Sequence, residues 1–180
     1  MGEKQKKPES GGGVGKNNDD GKSLQLTEEQ RAFVRTLNGE LQKFNRFFIN
    51  SEEDFVMKES RLDEEYKTVV NEDTGGKASG FTPERHRRIL TAFADFHGEL
   101  VLMEHWVSLN YTALVKILKK HDKRSNVSLR SPFLISVLQQ PFYSTEVLSQ
   151  LIIKVEGRFR KLSTFLTTKN NNNNGVGGAG

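Results

Sequence analysis

The sequence predicts an all-α protein, and three observations support this fold class. Apolar residues recur at every third, fourth or seventh position over two long stretches, which is the pattern of an amphipathic helix. The segment between them, NEDTGGKASG at residues 71–80, has the glycines and small polar residues of a loop. No proline lies in either stretch beyond its first helical position. We therefore expect two long antiparallel helices, followed by two short C-terminal helices.

The first helix is predicted to begin after Thr27, because Thr27 and Gln30 have the spacing of a capping box. The helix should run for about 45 residues, which is too long for a compact globule and indicates a helical hairpin. One face of this helix carries its apolar residues, which are Phe33, Leu37, Leu41, Phe44, Phe48, Phe55, Leu62, Tyr66 and Val69.

The second helix should begin with Thr82 as the N-cap and Pro83 at the first helical position. It is expected to end after Arg124. Two shorter helices should then open at Ser131 and Ser144, with the sequences SPFLISVLQQ and STEVLSQLIIKVEGRF. The predicted apolar face of the second helix consists of Ile89, Phe93, Phe96, Leu100, Met103, Val107, Leu114 and Ile117.

Composition divides the chain into one helical domain and two tails. Apolar residues make up 34% of the 180 residues and charged residues 28%, enough for one modest core. Residues 1–24 and 161–180 are rich in Gly, Asn and charge, so we expect disordered tails there and a helical domain over residues 25–160.

Several kinds of functional site are not predicted by this sequence. The chain has no cysteine, and its four histidines lack metal-ligand spacing. The glycines of GGGVGK do not have the spacing of a phosphate loop, and no apolar run is long enough to span a membrane. We see no catalytic constellation, so we expect a soluble non-enzymatic protein without a metal or cofactor.

The candidate functional feature is a row of four lysines in YTALVKILKKHDKR, at residues 111–124. At about 100° per residue, Lys116, Lys119, Lys120 and Lys123 share a stripe about 100° wide on one face of the second helix. Leu114, Ile117 and Leu118 are predicted to point to the other side. We call these four lysines the lysine stripe.

Charge balance sets the lysine stripe apart from the rest of the chain. Residues 111–130 contain six cations and only Asp122 as an acid, a net +5 in a chain of net +4, so the remaining residues sum to −1. Like charges at helical spacing repel one another, which indicates a multivalent anionic ligand. Lysines are mobile point charges suited to phosphates that point in different directions. Because one orthophosphate cannot span two helical turns, we expect a small polyphosphorylated molecule.

Two other interpretations of the stripe remain open. A lysine cluster on the outside of a helix is often only a solvated surface. Nucleic-acid binding is a second alternative, although the stripe lacks the base-reading Asn, Gln or Arg and the stacking aromatics of such proteins. We therefore expect no direct DNA binding.

The segment LNYTALVKILKKHDKR, followed by SLRSPFLISVLQQPFYSTEVLSQLI, resembles the SPX domain of stand-alone plant SPX proteins, over about residues 27–160. The resemblance implies a helical bundle that binds inositol polyphosphates or pyrophosphates. It further implies a role in phosphate-status signalling and restraint of a MYB-type phosphate-starvation transcription factor, in the nucleus or cytoplasm. Lys119, Lys120 and Lys123 match the ligand-facing lysines of the family, while Lys116 ranks below them and Arg124 below Lys116.

One departure from the family pattern bears on affinity and assembly. Nothing in MGEKQKKPESGGGVGKNNDDGK matches the N-terminal helical hairpin that completes the family's ligand site. We therefore expect weakened ligand binding and, because apolar surface is left uncovered, either a homodimer or marginal stability. A ligand-insensitive helical module for protein interaction, structural or dominant-interfering, is the alternative function.

Overall fold

The computed structural model describes residues 26–74, 82–125 and 127–174, and these residues form α-helices and one short 3₁₀ turn. The helices are α1 (Glu28–Thr74), α2 (Pro83–Arg124), α3 (Arg130–Leu138) and α4 (Glu146–Asn174), with the 3₁₀ turn at Pro141–Tyr143. The all-α prediction is confirmed, as are the two long helices and the breaks between the later ones.

The chain divides into two compact units, with the boundary after Thr36 inside α1. In the first unit, the described residues form the start of α1. Gln30 donates its backbone N–H to Thr27 Oγ1 at 3.2 Å, and Thr27 donates its own to Gln30 Oε1 at 2.9 Å. The predicted capping box is therefore confirmed.

In the second unit, from Leu37 onward, α1 and α4 both pack against α2. Ring contacts join α1 to α2 at Phe44–Trp106, Phe55–Phe96 and Tyr66–Phe93, with centroids 5.7, 6.0 and 6.2 Å apart. Residue numbers rise along α1 as they fall along α2, so this pair is antiparallel. Contacts of His97 with Glu156 and of Glu104 with Ser149 show that α4 is also antiparallel to α2.

Ion pairs link α1 to α4 along the same unit. Lys154 Nζ lies 2.8 Å from Glu59 Oε1, and the Arg158 guanidinium pairs with the buried carboxylate of Asp63. Burial works against the charged form of Asp63, but hydrogen bonding from Lys67 and the charge of Arg158 outweigh it and lower the pKa of Asp63. These contacts fix the pairing of α1 with α4 in a parallel orientation.

The apolar face predicted for α2 is buried as expected, with one exception. Ile89, Phe93, Phe96, Leu100, Met103, Val107 and Leu114 are all in the core. Ile117 is 45% exposed, and Leu118 is buried in its place. Position 118 lies one turn after Leu114 on the same side of the helix, whereas position 117 is rotated about 100° away from it. The assignment of Ile117 to the core was wrong for this reason.

The last helix, α4, is longer than the short helix that the sequence predicts. It has 29 residues and continues to Asn174, through residues predicted to be a tail. Leu162 is buried, and the Phe165 ring stacks on the buried His86 ring with centroids 5.6 Å apart. The apolar period of α4 thus continues through Leu162 and Phe165, up to the Asn run that begins at Asn170. Residues 1–25, 75–81 and 175–180, which include most of the predicted tails and loop, lie outside the described residues.

We predict that Leu162→Ala lowers the free energy of unfolding by about 2 to 4 kcal/mol, because it removes a buried side chain from α4. Urea denaturation followed by circular dichroism measures this change. Lys161→Ala, an exposed neighbour on the same helix, serves as the control and should cost little. Equal stability of the two variants would contradict the extension of the core into residues 161–168.

Candidate functional site

The lysine stripe lies on the solvent side of the last two turns of α2. Lys116, Lys119, Lys120 and Lys123 are all exposed. Leu114 and Leu118, on the opposite side of the same turns, are almost fully buried at 2% and 0% exposure. The burial of these two leucines fixes the rotation of α2 about its axis. The four ammonium groups therefore point outward together, over about 10 Å of helix length.

None of the four lysines forms an ion pair with a described acidic side chain. Four other described lysines pair with acids on their own or a neighbouring helix, namely Lys43, Lys58, Lys67 and Lys154. Lys58 Nζ lies 2.7 Å from Glu99 Oε2, and Lys67 Nζ lies 2.7 Å from Asp63 Oδ2. The stripe thus differs from the mixed-charge surface formed by the rest of the helices.

Asp122, the one acid within the basic segment, is held away from the lysines by the start of α3. Its Oδ1 accepts the backbone N–H of Leu129 at 3.0 Å, and its Oδ2 accepts that of Arg130 at 3.1 Å. Ser128 Oγ donates to Oδ2 at 3.2 Å, and the His121 ring nitrogen lies 3.2 Å from Oδ1. The carboxylate therefore satisfies backbone donors that the first turn of α3 leaves without helical partners.

The electrostatics of Asp122 agree with this capping role. Burial disfavours its charge, but hydrogen bonds from Leu129, His121, Arg130 and Ser128 outweigh burial and lower its pKa. Asp122 remains ionised at neutral pH, yet its lone pairs are directed at the loop and α3. It therefore forms no direct ion pair with Lys119, Lys120 or Lys123.

The neighbours of the stripe have structural roles. Asn110 donates its side-chain amide to the Trp106 carbonyl at 2.7 Å, and the Tyr111 ring packs against the Tyr143 ring at 5.2 Å. These contacts join α2 to the 3₁₀ turn. Arg124, which ranks below the stripe, is exposed at the last position of α2.

Sequence reasoning placed the four lysines but missed the role of Asp122. It treated Asp122 only as a partial counter-charge at the edge of the stripe. The usable signal was the segment that follows, SNVSLRSP, in which a short polar loop precedes a helix start. An aspartate seven or eight residues before such a start can fold back to cap it, although the loop geometry that allows this is a tertiary property.

Other places in the described residues fit a ligand site less well. A groove of about 550 Å³ lies between α2 and α4, with Phe93, Val155 and Phe159 among its apolar walls. Its polar lining includes Arg160, but also His97 and Glu156, which contact each other at 3.1 Å. Over the described part of the chain, no group of three His, Asp or Glu side chains could hold a metal ion. No described helix is both long enough and apolar enough to cross a membrane.

Comparison with known proteins identifies relatives that share this segment. A family model described as SPX domain matches residues 79–137, which contain the lysine stripe and Asp122. The chain is 41% identical over 138 residues to SPX domain-containing protein 1 of Oryza sativa subsp. indica, covering 76% of this chain and 44% of that protein.

Two Arabidopsis thaliana proteins give similar matches. SPX domain-containing protein 1 is 42% identical over 136 residues, which cover 74% of this chain and 48% of that protein. SPX domain-containing protein 4 is 41% identical over 133 residues, covering 74% of this chain and 42% of that protein. The chain therefore spans less than half the length of these curated relatives.

We predict that Asp122→Ala lowers the free energy of unfolding by about 1 to 3 kcal/mol at neutral pH, since it leaves the capped N–H groups of Leu129 and Arg130 without their acceptor. Urea titration measures the loss, with Asp54→Ala, at an exposed position of α1, as the control.

The pH dependence of this loss has a definite sign. The folded-state pKa of Asp122 is lowered, so its contribution is present above the unfolded pKa of about 3.9 and disappears as the pH falls through the folded value. The difference between wild type and Asp122→Ala should therefore shrink below about pH 4. A difference that stays constant across the acid range would contradict the capping role of the carboxylate.

Proposed function

This chain belongs to the SPX domain family through residues 79–137, and from that premise we propose that it is a phosphate-status signalling module. Its ligand is an inositol polyphosphate or pyrophosphate, bound on Lys119, Lys120 and Lys123, with Lys116 as a weaker contributor. The ligand-bound chain then restrains a MYB-type phosphate-starvation transcription factor, in the nucleus or cytoplasm.

The observation that supports this proposal is the row of four outward lysines. The acid nearest to them in the sequence, Asp122, is hydrogen-bonded at the start of α3 instead of to a lysine. Asp122 forms no ion pair with a lysine of the stripe, so among the described residues all four ammonium groups are free to contact an anion. Polyphosphorylated inositols carry several phosphates on one small ring and suit a row of mobile point charges.

The binding free energy between the lysine stripe and its ligand can be estimated from charge-assisted hydrogen bonds. Each such bond contributes about 1.5 to 3 kcal/mol before the costs of ordering and desolvation. Water and salt screen exposed lysines and remove much of this free energy, so each single contact is weak. Strong binding therefore requires several lysines of the stripe to contact the ligand together. This favours a ligand with several phosphates over orthophosphate or sulfate.

The fold also supplies a route from ligand to partner. Lys119 and Lys123 lie in the turns of α2 that continue directly into the loop capped by Asp122. A ligand on the stripe offsets the repulsion among the lysines at the end of α2 and stabilises that end. The adjoining loop and α3 then present a more ordered surface to a protein partner.

We predict that replacing Lys119, Lys120 and Lys123 together by alanine raises the Kd for inositol hexakisphosphate by at least about tenfold, the factor that corresponds to 1.4 kcal/mol. Isothermal titration at physiological salt measures the change. The matched control replaces Lys43, Arg46 and Lys161 by alanine, which removes the same charge from exposed positions on α1 and α4.

Three outcomes of this titration are informative. Loss of affinity for inositol hexakisphosphate in the stripe variant alone supports the proposed site. An equal loss of affinity in both variants indicates only non-specific attraction by net charge. Wild-type binding no tighter than that of sulfate would overturn the proposal.

We further predict that inositol hexakisphosphate increases capture of a plant MYB-type phosphate-starvation factor by the wild-type chain, and that the stripe variant shows no such increase. Co-precipitation of purified proteins with and without the ligand measures this. Capture that is equal in all four conditions would instead favour the ligand-insensitive interaction module.

A further inference from the structure

The outer face of α2 carries an apolar feature that the ligand site does not use. Leu102 and Leu109 are 68% and 70% exposed and lie seven residues apart, so they share one side of the helix. This side is opposite the buried row that contains Leu100 and Val107. Two leucines this exposed in the middle of a long, well-packed helix contribute nothing to the described core.

The seven-residue spacing extends to a charged residue at each end of the leucine pair. Asp95, Leu102, Leu109 and Lys116 form a single row, at successive intervals of seven, on the outside of α2. All four are exposed, and neither Asp95 nor Lys116 forms an ion pair with a described side chain. We call these four residues the outer row. It spans about 30 Å at 1.5 Å per residue.

The order of these residues is self-complementary under a two-fold rotation. When two copies of α2 lie antiparallel with the axis between Leu102 and Leu109, Leu102 of one copy faces Leu109 of the other. The same operation brings Asp95 opposite Lys116 at both ends. Two apolar contacts and two opposite-charge contacts then form together, which is the isologous arrangement typical of homodimers.

Small and aromatic residues beside the outer row fit the same arrangement. The rotation also places Gly98 opposite Ala113, so the backbones can approach closely at both ends of the leucine pair. A Cβ on Gly98 would meet no atom of its own chain within 4 Å, so internal packing does not require a glycine there. The Trp106 ring, packed on half-exposed Phe47 with centroids 4.8 Å apart, lies near the axis and adds apolar area.

From this row we infer that α2 is the interface of a homodimer, in which two copies pack antiparallel about an axis between Leu102 and Leu109. A second copy of this chain covers the exposed surface, because the outer row is complementary to its own rotated copy in both charge and side-chain size. Parallel pairing would place Asp95 against Asp95 and Lys116 against Lys116, so like charges exclude it.

Sedimentation velocity over a range of protein concentrations tests the interface. The wild-type chain of 20.4 kDa should shift toward twice this mass as concentration rises. Leu102→Glu and Leu109→Glu should remain monomeric, because each buries two carboxylates in the symmetric contact. Ile153→Glu is the matched control, since Ile153 is 69% exposed on α4 and lies outside the outer row. It should dimerise as the wild type does.

Charge reversal tests the pairing without removing apolar area. Asp95→Lys and Lys116→Asp should each weaken dimerisation, and the double variant should restore it. Because the chain has no cysteine, orientation can be tested directly. A mixture of Asp95→Cys and Lys116→Cys chains should be cross-linked by a short bis-maleimide, and each variant alone should not be.

The outcomes that overturn the inference are distinct from failure of the proposed ligand site. A wild-type monomer at all concentrations, unchanged dimerisation of the leucine variants, or cross-linking within a single cysteine variant each contradicts it. The leucine variants retain the entire lysine stripe, so they should still bind inositol hexakisphosphate through Lys119, Lys120 and Lys123 whichever result is found.

Discussion

Burial of one side of α2 against α1 and α4 is the constraint on which the rest of the structure depends. The row from Ile89 to Leu118 is fully enclosed, and each large apolar side chain in it contributes about 1.5 to 3 kcal/mol when removed from water. A helix packed this firmly cannot rotate about its axis without exposing that row. The direction of every other α2 side chain follows, including the lysine stripe near its end and the outer row in its middle.

The end of α2 shows how local chemistry preserves a charged surface. Asp122 is the natural counter-ion of the stripe by sequence distance, and in many surface helices such an acid would pair with a lysine one turn away. Here its carboxylate accepts two backbone N–H groups and a serine hydroxyl at the start of α3. One side chain thus holds the loop after α2 to the start of α3 and leaves the lysines without a direct ion pair to it. The same hydrogen bonds of Asp122 therefore hold the loop and keep its carboxylate from pairing with a lysine of the stripe.

Lys116 is the point at which the two proposed surfaces of α2 meet. It is the first residue of the lysine stripe and the last residue of the outer row, and its ammonium group can face only one counter-charge at a time. A polyphosphorylated ligand that engages Lys116 competes with Asp95 of a second copy for that charge. The leucines of the outer row and the lysines at positions 119, 120 and 123 lie on separate turns, so the competition is limited to this residue. Assembly and ligand binding are therefore coupled, but only weakly.

The sequence by itself determined the all-α class, the capping box at Thr27, the start of α2 at Pro83 and the outward lysine stripe. These features depend on period, capping chemistry and charge within one helix, which the chain encodes locally. It placed Ile117 in the core and predicted a short last helix, since one-dimensional composition could not show which side of α2 meets its neighbours or that Leu162 continues the buried face of α4. Only the tertiary structure decided that Asp122 caps α3 and that Leu102 and Leu109 remain exposed. Both outcomes depend on where other helices lie, and contacts between residues distant in the chain determine those positions.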